Sequence, residues 1–153
     1  MFDLKRTREL QEAIELMYFA YRSFTAEPDN LLAERGFGRV HHRILYFVGR
    51  NPDITVSALL EILQVSKQAL HTPLRQLLQQ GLIESIIPEH DRRLRQLRLT
   101  DEGQNLEMNL SETQMQLLDT AFRTVSVGAE RGWREFMQVL HSVDQKNRTI
   151  KNQ

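Results

Sequence analysis

The sequence predicts a mainly α-helical fold that carries one small β-hairpin. Apolar residues recur at helical spacing in six segments of the chain, which is the pattern of helices with one buried face. One pair of short apolar-rich segments, residues 82–87 and 96–100, flanks a polar turn and predicts the hairpin. The chain has 153 residues, of which 41% are hydrophobic and 26% charged, so it can bury the core that such a fold requires.

The first two helices are predicted on either side of a glycine-containing passage. From about Lys5 to Phe24, apolar residues follow one another at spacings of four and three residues, which favours a helix. Residues 27–30 read Glu-Pro-Asp-Asn, and this sequence is expected to end the helix. A second helix is predicted from Arg39 to Arg50, where the following Asn-Pro-Asp sequence ends it.

The central segment predicts two short helices joined by a tight turn. Thr55 is a suitable N-cap for a helix at residues 56–63, and Ser66 is a suitable N-cap for the next helix, which ends at Gly81. Helices joined so closely are typical of a helix-turn-helix. Because the hairpin follows directly, the expected architecture is a winged helix-turn-helix in which the hairpin is the wing.

The chain ends in two further predicted helices. Asp101 and Glu102 lie in the first turn of a helix that extends to about Val125, where their carboxylates suit the positive end of the helix dipole. The last helix begins after Gly128. The polar sequence DQKNRTIKNQ at the end of the chain is expected to fray.

The formal net charge of zero conceals a basic centre. Residues 39–100 contain nine Lys or Arg and five Asp or Glu residues, whereas the rest of the chain contains eleven and fifteen. A basic segment between acidic flanks favours contact with an anionic partner.

The helix that follows Ser66 is predicted to present a polar face without acidic side chains, because residues 66–83 contain no Asp or Glu. On a helical wheel, leucines occupy one side of this helix. The opposite side carries Gln68, Thr72, Arg75 and Gln79, with His71 and Gln76 at its edges. Glutamine can pair with adenine, arginine with guanine, and the threonine methyl group can contact thymine. The face therefore indicates a helix that reads DNA, and a glutamine-rich surface helix is the alternative.

The sequence DRRLRQLRLTDEG at residues 91–103 concentrates positive charge at the predicted wing. Its arginines are Arg92, Arg93, Arg95 and Arg98. Beside a DNA-reading helix such a tip can reach the adjacent minor groove, which suits a flat and permanently charged guanidinium. Asp91 would then brace the loop through one of the arginines. A solvated, charged turn is the alternative interpretation.

The terminal helices carry apolar stripes that the rest of the predicted fold cannot cover. Three short helices and a wing offer too little surface for helices of about twenty residues, so burial against a second copy of the chain is expected. Burial within a monomer is the alternative. The predicted organisation is an N-terminal dimerisation helix and linker at 1–38, a DNA-binding winged helix-turn-helix at 39–100, and C-terminal dimerisation helices at 101–153.

These segments, in this order, resemble the MarR-type winged-helix transcriptional regulators over nearly the whole chain. DRRLRQLRLTDEG is similar to the wing signature of that family, an Asp-Arg-Arg followed by Leu-Thr and then Gly. SKQALHTPLRQLLQQGLI is similar to its recognition helix and first wing strand. The resemblance implies an intertwined helical homodimer whose two lobes bind a pseudo-palindromic DNA site, with repression of transcription as the expected outcome.

The resemblance also implies roles for individual residues. The predicted DNA-binding residues are Ser66, Lys67, Gln68, His71, Thr72, Arg75, Arg92, Arg93 and Arg95. The first two would lie near phosphates, the next four would face the major groove, and Arg93 or Arg95 would enter the minor groove while Asp91 pairs with a wing arginine. The sequence departs from the family pattern at Pro73, which should bend or locally open the recognition helix, and at Ser85, where the family often has a basic residue.

A cleft for a small-molecule effector is a further expectation from the resemblance, because members of the family often bind small aromatic or phenolic compounds between the dimer and DNA-binding lobes. The aromatic residues near that junction are Tyr18, Tyr21, Phe24, Tyr46 and Phe47. Packing in the core is the alternative role for most of them.

Other chemistries find little support in the sequence. The absence of cysteine excludes disulfides and cysteine metal sites, and His41 and His42 point to different sides of a helix without a further ligand at zinc spacing. No phosphate loop, dinucleotide fingerprint or G-x-S-x-G motif occurs. We therefore expect no catalytic residues, no metal, no cofactor and no enzymatic activity. A winged helix used for protein–protein assembly is the alternative to a DNA-binding protein.

The start of the chain, MFDLKRTRELQEAIEL, is charged every few residues and contains no continuous apolar run. This pattern predicts that no signal peptide is present, and no window of the sequence is long and apolar enough to span a membrane. A cytoplasmic protein is expected.

Overall fold

The computed structural model describes residues 1–151, and in this range the chain forms helices and a small sheet in the predicted order. The elements are α1 (Leu4–Ala33), α2 (Arg39–Arg50), β1 (Ile54–Thr55), α3 (Val56–Leu63), α4 (Lys67–Gln79), β2 (Ile83–Ile86), β3 (Gln96–Leu99), α5 (Asp101–Thr124) and α6 (Ala129–Lys151). The mainly α-helical, winged helix-turn-helix fold is therefore confirmed. Across residues 1–151, no helix combines the length and the apolar character needed to cross a membrane.

The sheet has three antiparallel strands in the order β1-β3-β2. In the wing, Ile83 pairs with Leu99 and Ile86 pairs with Gln96. Strand β1 was not expected from the sequence, because two residues are too few to show the alternation that identifies a strand. It forms because Ile54 pairs with Leu97, which is buried at the centre of the sheet.

The chain divides into two compact units, Met1–Gln114 and Met115–Gln153, and α5 begins in the first and ends in the second. The first unit contains the core. Its fully buried leucines come from helices α1 to α5, the sheet and the bend before β2, and they are Leu32, Leu45, Leu59, Leu70, Leu77, Leu82, Leu97 and Leu110. Each fully buried leucine contributes roughly 1.5–3 kcal/mol relative to an exposed one, which explains why the apolar stripes of the short helices all face inward.

Helix α1 continues through Pro28, so the prediction that residues 27–30 end it is wrong. A proline has no N–H and leaves the carbonyl oxygen four residues earlier without its helical donor. That oxygen belongs to Phe24, and it accepts a hydrogen bond from Nε2 of Gln114 at 3.2 Å. Pro28 is itself fully buried, so packing and a replacement donor together compensate for the missing helical hydrogen bond.

Helix α4 is also one continuous helix, Lys67–Gln79, with Pro73 inside it. The expected local opening at Pro73 is not observed. Leu70 on one side of the proline, and Leu74 and Leu77 on the other, are buried in the core. Burial of both halves of the helix offsets the cost of the proline.

The wing is joined to α5 by a close contact between backbones. The hydroxyl of Thr100 donates to the carbonyl oxygen of Gly81 at 2.6 Å and accepts from the N–H of Gly103 at 3.1 Å. The N–H of Thr100 donates to the carbonyl oxygen of Leu82 at 3.1 Å. A Cβ atom on Gly103 would lie 1.9 Å from that same carbonyl oxygen, so only glycine fits there.

The second unit consists of the end of α5 and all of α6, and none of the described residues of α6 is buried. Large apolar side chains of α6 remain exposed, among them Trp133, Phe136, Leu140 and Val143. In the part of the polar tail that the structure describes, α6 continues to Lys151, with an ion pair between Asp144 and Arg148 at 2.8 Å. Residues 152 and 153 of that tail lie outside the described residues.

Candidate nucleic-acid interface

The turn between α3 and α4 is built by two polar residues. Gln64 ends α3 in the left-handed conformation, with φ +54°, and its N–H donates to the carbonyl oxygen of Leu60 at 2.9 Å. Ser66 begins α4 as an N-cap, because its Oγ accepts from the N–H of Ala69 at 3.1 Å. The hydroxyl of Ser66 therefore already has a structural role, and Lys67 beside it is exposed.

Helix α4 presents the predicted polar side chains to solvent. We use the name α4 polar face for the set Gln68, His71, Thr72, Arg75 and Gln79, all of which are exposed. Within residues 1–151, none of these side chains has a hydrogen-bonding or ion-pair partner. A surface helix stabilised by its own charges would use i,i+4 pairs, as α6 does. The α4 polar face retains its hydrogen-bonding capacity for a partner.

Gln76, at the edge of that face, behaves differently. Its Oε1 lies 2.7 Å from Nε2 of His41 in α2, and the side chain is only partly exposed. Nδ1 of His41 accepts from the backbone N–H of Gly38 at 3.0 Å, and the imidazole ring stacks on Phe37 with centroids 4.5 Å apart. The sequence did not predict this contact. The one local signal was the position of His41, three residues after an N-cap glycine.

The wing loop is held by Asp91. Its carboxylate accepts from Nε of Arg93 at 3.1 Å, from Nη2 at 3.2 Å and from the Arg93 backbone N–H at 3.0 Å. The hydrogen bonds from the Arg93 side chain and backbone lower the pKa of Asp91 below its ordinary value. The side chain of Arg93 remains 91% exposed in spite of this pair. Its guanidinium is therefore oriented and still accessible.

The other wing arginines differ in their partners. Arg95 donates from Nε to Oγ of Ser85 at 2.8 Å. Ser85, which stands where the family pattern often has a basic residue, therefore orients an arginine of the wing. Arg92 is exposed and has no side-chain partner in the described part of the chain. Arg98 lies on β3 and pairs with Asp53, so it does not belong to the wing tip.

The aromatic residues predicted for an effector cleft lie on α1 and α2. The hydroxyl of Tyr21 accepts from Nη2 of Arg43 at 3.1 Å, and the guanidinium of Arg39 lies 5.3 Å from the Tyr21 ring centroid. Arg39 also donates to both carboxylate oxygens of Asp29, which raises the pKa of Arg39.

The remaining four aromatics make ring contacts or are half-buried. Tyr46 and Phe47 contact each other edge to face at 5.2 Å, Tyr18 contacts its neighbour Phe19 in the same way, and Phe24 is half-buried. The roles of these residues towards an effector stay a prediction.

No group of three or more histidine, cysteine or carboxylate side chains is placed to hold a metal ion among residues 1–151. His41 binds Gln76 and Gly38, as described above. His42 is half-buried, and this burial lowers its pKa. Neither histidine has the ligand set of a zinc site.

Comparison with known proteins agrees with this geometry. A model of the MarR family matches residues 35–94, which include α2, the helix-turn-helix and most of the wing. The chain is 42% identical over 132 residues to the HTH-type transcriptional regulator PetP of Rhodobacter capsulatus, a match that spans 86% of this chain and 80% of PetP.

Solved structures share the fold at lower identity. Streptococcus pneumoniae FabT in complex with DNA has a TM-score of 0.74 at 21% identity, with 94% of this chain and 99% of that chain covered. Staphylococcus aureus MarR in complex with salicylate and kanamycin has a TM-score of 0.76 at 18% identity, with 93% and 96% covered. At these identities the likeness concerns the fold.

Proposed function

The chain belongs to the MarR family of HTH-type transcriptional regulators, and we propose that it binds double-stranded DNA as a homodimer and represses transcription from a pseudo-palindromic operator. The observation that carries the proposal is the α4 polar face. It is exposed, it has no acidic residue, and its side chains have no partners within residues 1–151. A helix that approaches phosphates needs a surface of this kind.

The α4 polar face supplies the contacts to bases in this proposal. Gln68 and Arg75 can form bidentate hydrogen bonds to adenine and guanine, and the methyl group of Thr72 can contact thymine. His71 lies on the same face. Ser66 and Lys67 at the N-terminus of α4 contact backbone phosphates, where the positive end of the helix dipole adds to the attraction.

The wing supplies the contacts to the minor groove. Arg93 and Arg95 are exposed guanidinium groups at the wing, each oriented by a hydrogen-bond acceptor, and Arg92 adds a positive charge that has no partner within residues 1–151. Narrow minor grooves concentrate negative potential and attract arginine. The relative FabT was solved in complex with DNA, which supports the same activity for this chain.

Exposed apolar residues on the terminal helices support the homodimer. In α1, Leu16 is 66% exposed and Phe19 53% exposed, and in α6, Phe136 is 56% exposed. A soluble monomer rarely exposes so many large apolar side chains, and a second copy of the chain would cover them. Two recognition helices in one dimer then contact half-sites one helical turn apart, roughly 34 Å. A dimer bound across a promoter would exclude the transcription machinery.

A small aromatic effector that weakens DNA binding is a second part of the proposal. Tyr21, with Arg43 at its hydroxyl, offers an aromatic surface next to a positive charge, which suits a phenolic acid. The relative MarR from Staphylococcus aureus was solved with salicylate. Titration of salicylate into the protein–DNA complex tests this part, because an effector must lower the affinity for DNA in a saturable way.

Selection of bound duplexes from a random pool tests the main proposal. We expect an enriched sequence with two-fold symmetry, bound by a dimer, with log affinity falling by about 0.9 per neutralised phosphate for each unit of log salt. Arg93→Ala should weaken binding to most sequences, whereas Gln68→Ala and Arg75→Ala should also change the preferred bases. Equal affinity of wild type and all three variants for selected and scrambled duplexes would contradict the proposal.

A further inference from the structure

We propose that Gln76 donates a hydrogen bond from its amide nitrogen to an acceptor atom of bound DNA, and that His41 fixes the amide in the orientation this requires. The inference rests on the proposed function and adds one contact and the residue that positions it. Gln76 lies in α4 one turn after Thr72 and next to Arg75, at the edge of the α4 polar face.

The tautomer of His41 follows from its neighbours. The backbone N–H of Gly38 can only donate, and it points at Nδ1 of His41 from 3.0 Å, so Nδ1 accepts and carries no proton in the neutral ring. The ring proton therefore lies on Nε2, which donates to Oε1 of Gln76 at 2.7 Å. His41 is only 8% exposed and stacks on Phe37, so the ring is held in this plane.

The amide of Gln76 cannot turn over without losing this contact. With its nitrogen towards His41, two N–H donors would face each other. Oε1 therefore stays bound to the ring, and Nε2 of Gln76 is the group that remains. It has no partner in the part of the chain that the structure describes, and that part contains no buried side-chain nitrogen or oxygen without a partner. The amide nitrogen of Gln76 consequently reaches solvent.

A glutamine held in this way presents its two amide N–H donors to a partner, while its oxygen is directed at His41 and already uses one lone pair there. A free glutamine presents both groups and can pair bidentately with adenine, as proposed for Gln68. Gln76 instead matches an atom that only accepts, either a phosphate oxygen or the N7 atom of guanine. Both atoms share this chemistry, and modified duplexes distinguish them.

Gln76→Glu tests the donor directly. One carboxylate oxygen can still accept from His41, while the other replaces the N–H donors with an acceptor. Gln80→Glu adds the same charge to an exposed residue at the end of α4 and is the matched control. With a duplex selected by wild-type protein, we expect Gln76→Glu to weaken binding about tenfold more than Gln80→Glu does. Equal losses for the two variants would overturn the inference.

Gln76→Met identifies the acceptor without any change in charge. Duplexes carry one methylphosphonate, which removes a phosphate charge and oxygen, or one 7-deazaguanine, which removes N7. At the contacted position, the modification should weaken binding of wild type about tenfold more than it weakens binding of Gln76→Met. If every modification weakens both proteins equally, Gln76 makes no such contact.

The positioning role of His41 is tested by a double-mutant cycle on DNA affinity. His41→Phe keeps an aromatic ring beside Phe37 and removes the Nε2–H donor, so the amide of Gln76 is free to rotate. We expect Gln76→Met to cost less affinity in the His41→Phe protein than in wild type. Additive losses would show that His41 does not act through Gln76. Failure of wild type to enrich any duplex would contradict the proposed function itself, so the two failures are distinguishable.

Discussion

Asp53 and Arg98 form a two-point ion pair that joins the loop after α2 to strand β3. Nη2 of Arg98 donates to Oδ2 of Asp53 at 3.0 Å, and Nε donates to Oδ1. The N–H of Asp53 also donates to the carbonyl oxygen of Leu97 at 3.1 Å. The hydrogen bonds from Arg98 lower the pKa of Asp53. This pair uses one arginine of the basic sequence at residues 91–103 to anchor the sheet.

Asp53→Asn should destabilise the fold at neutral pH. Asparagine tolerates the φ of +67° at this position, so the substitution tests the charge and leaves the backbone conformation in place. Because the pKa of Asp53 is lowered by folding, its contribution is present above the ordinary pKa of aspartate and is lost as the pH falls through the folded value. Urea unfolding of both proteins should therefore differ at pH 7 and converge in acid. A constant difference at every pH would contradict this account.

Gly103→Ala should destabilise the protein by about 3 kcal/mol, because the new Cβ would overlap the carbonyl oxygen of Leu82 and neither backbone can move freely. Gly132→Ala in α6 is the control. A Cβ there has nothing within 4 Å, and alanine favours a helix, so no loss is expected. Denaturant unfolding measures both changes, and equal stability of the two variants would be inconsistent with the close contact.

Gln114→Leu should cost about 1–2 kcal/mol, because it leaves the carbonyl oxygen of Phe24 without a donor in a partly buried position. Pro28→Ala restores a backbone N–H that can donate to this oxygen, although it removes buried atoms. In the Pro28→Ala protein, Gln114→Leu should therefore cost less than in wild type. A double-mutant cycle of unfolding free energies measures the coupling, and strictly additive effects would refute it.

His42 should make the fold less stable in mild acid. Burial lowers its pKa and Arg43 acts in the same direction, while the nearby carboxylates of Glu107 and Asp29 oppose them. The unfolded chain therefore takes up this proton first as the pH falls through about 6.5, and the free energy of unfolding decreases over that interval. We expect His42→Gln to show a smaller decrease between pH 8 and pH 5. If the free energy of unfolding of His42→Gln falls as much as that of wild type, groups other than His42 cause the loss of stability in mild acid.

The helices could be predicted because the residues of their buried faces recur at helical spacing within each segment of the sequence. Helices α2, α3 and α4 have leucine and isoleucine stripes at helical spacing, and the structure buries those stripes. The errors arise from contacts distant in sequence. The continuation of α1 through Pro28 depends on Gln114, and the pairing of β1 depends on Leu97. A local pattern contains no information about either partner.

The same distinction applies to the candidate interface. Exposure of Gln68, Thr72 and Arg75 follows from their position opposite the leucines, which the sequence shows. The hydrogen bond between His41 and Gln76 cannot be inferred from the sequence pattern, because it joins two helices and their packing sets the distance between the two side chains. One edge of α4 is buried against α2, so Gln76 is only partly exposed, whereas the residues next to it on a helical wheel are exposed.

The three arginines of the wing differ in how much conformational entropy their side chains can still lose when DNA binds. Immobilising a long side chain that is free in solution costs up to about 2 kcal/mol in lost rotamer entropy, and immobilising one that is already held costs less. Arg95 is held by a hydroxyl and Arg93 by a carboxylate, whereas Arg92 is unrestrained in the described structure. Arg93, held at two nitrogens by Asp91, is therefore the most restrained of the three, whereas the neutral Ser85 orients the guanidinium of Arg95 through one hydrogen bond and leaves its charge uncompensated.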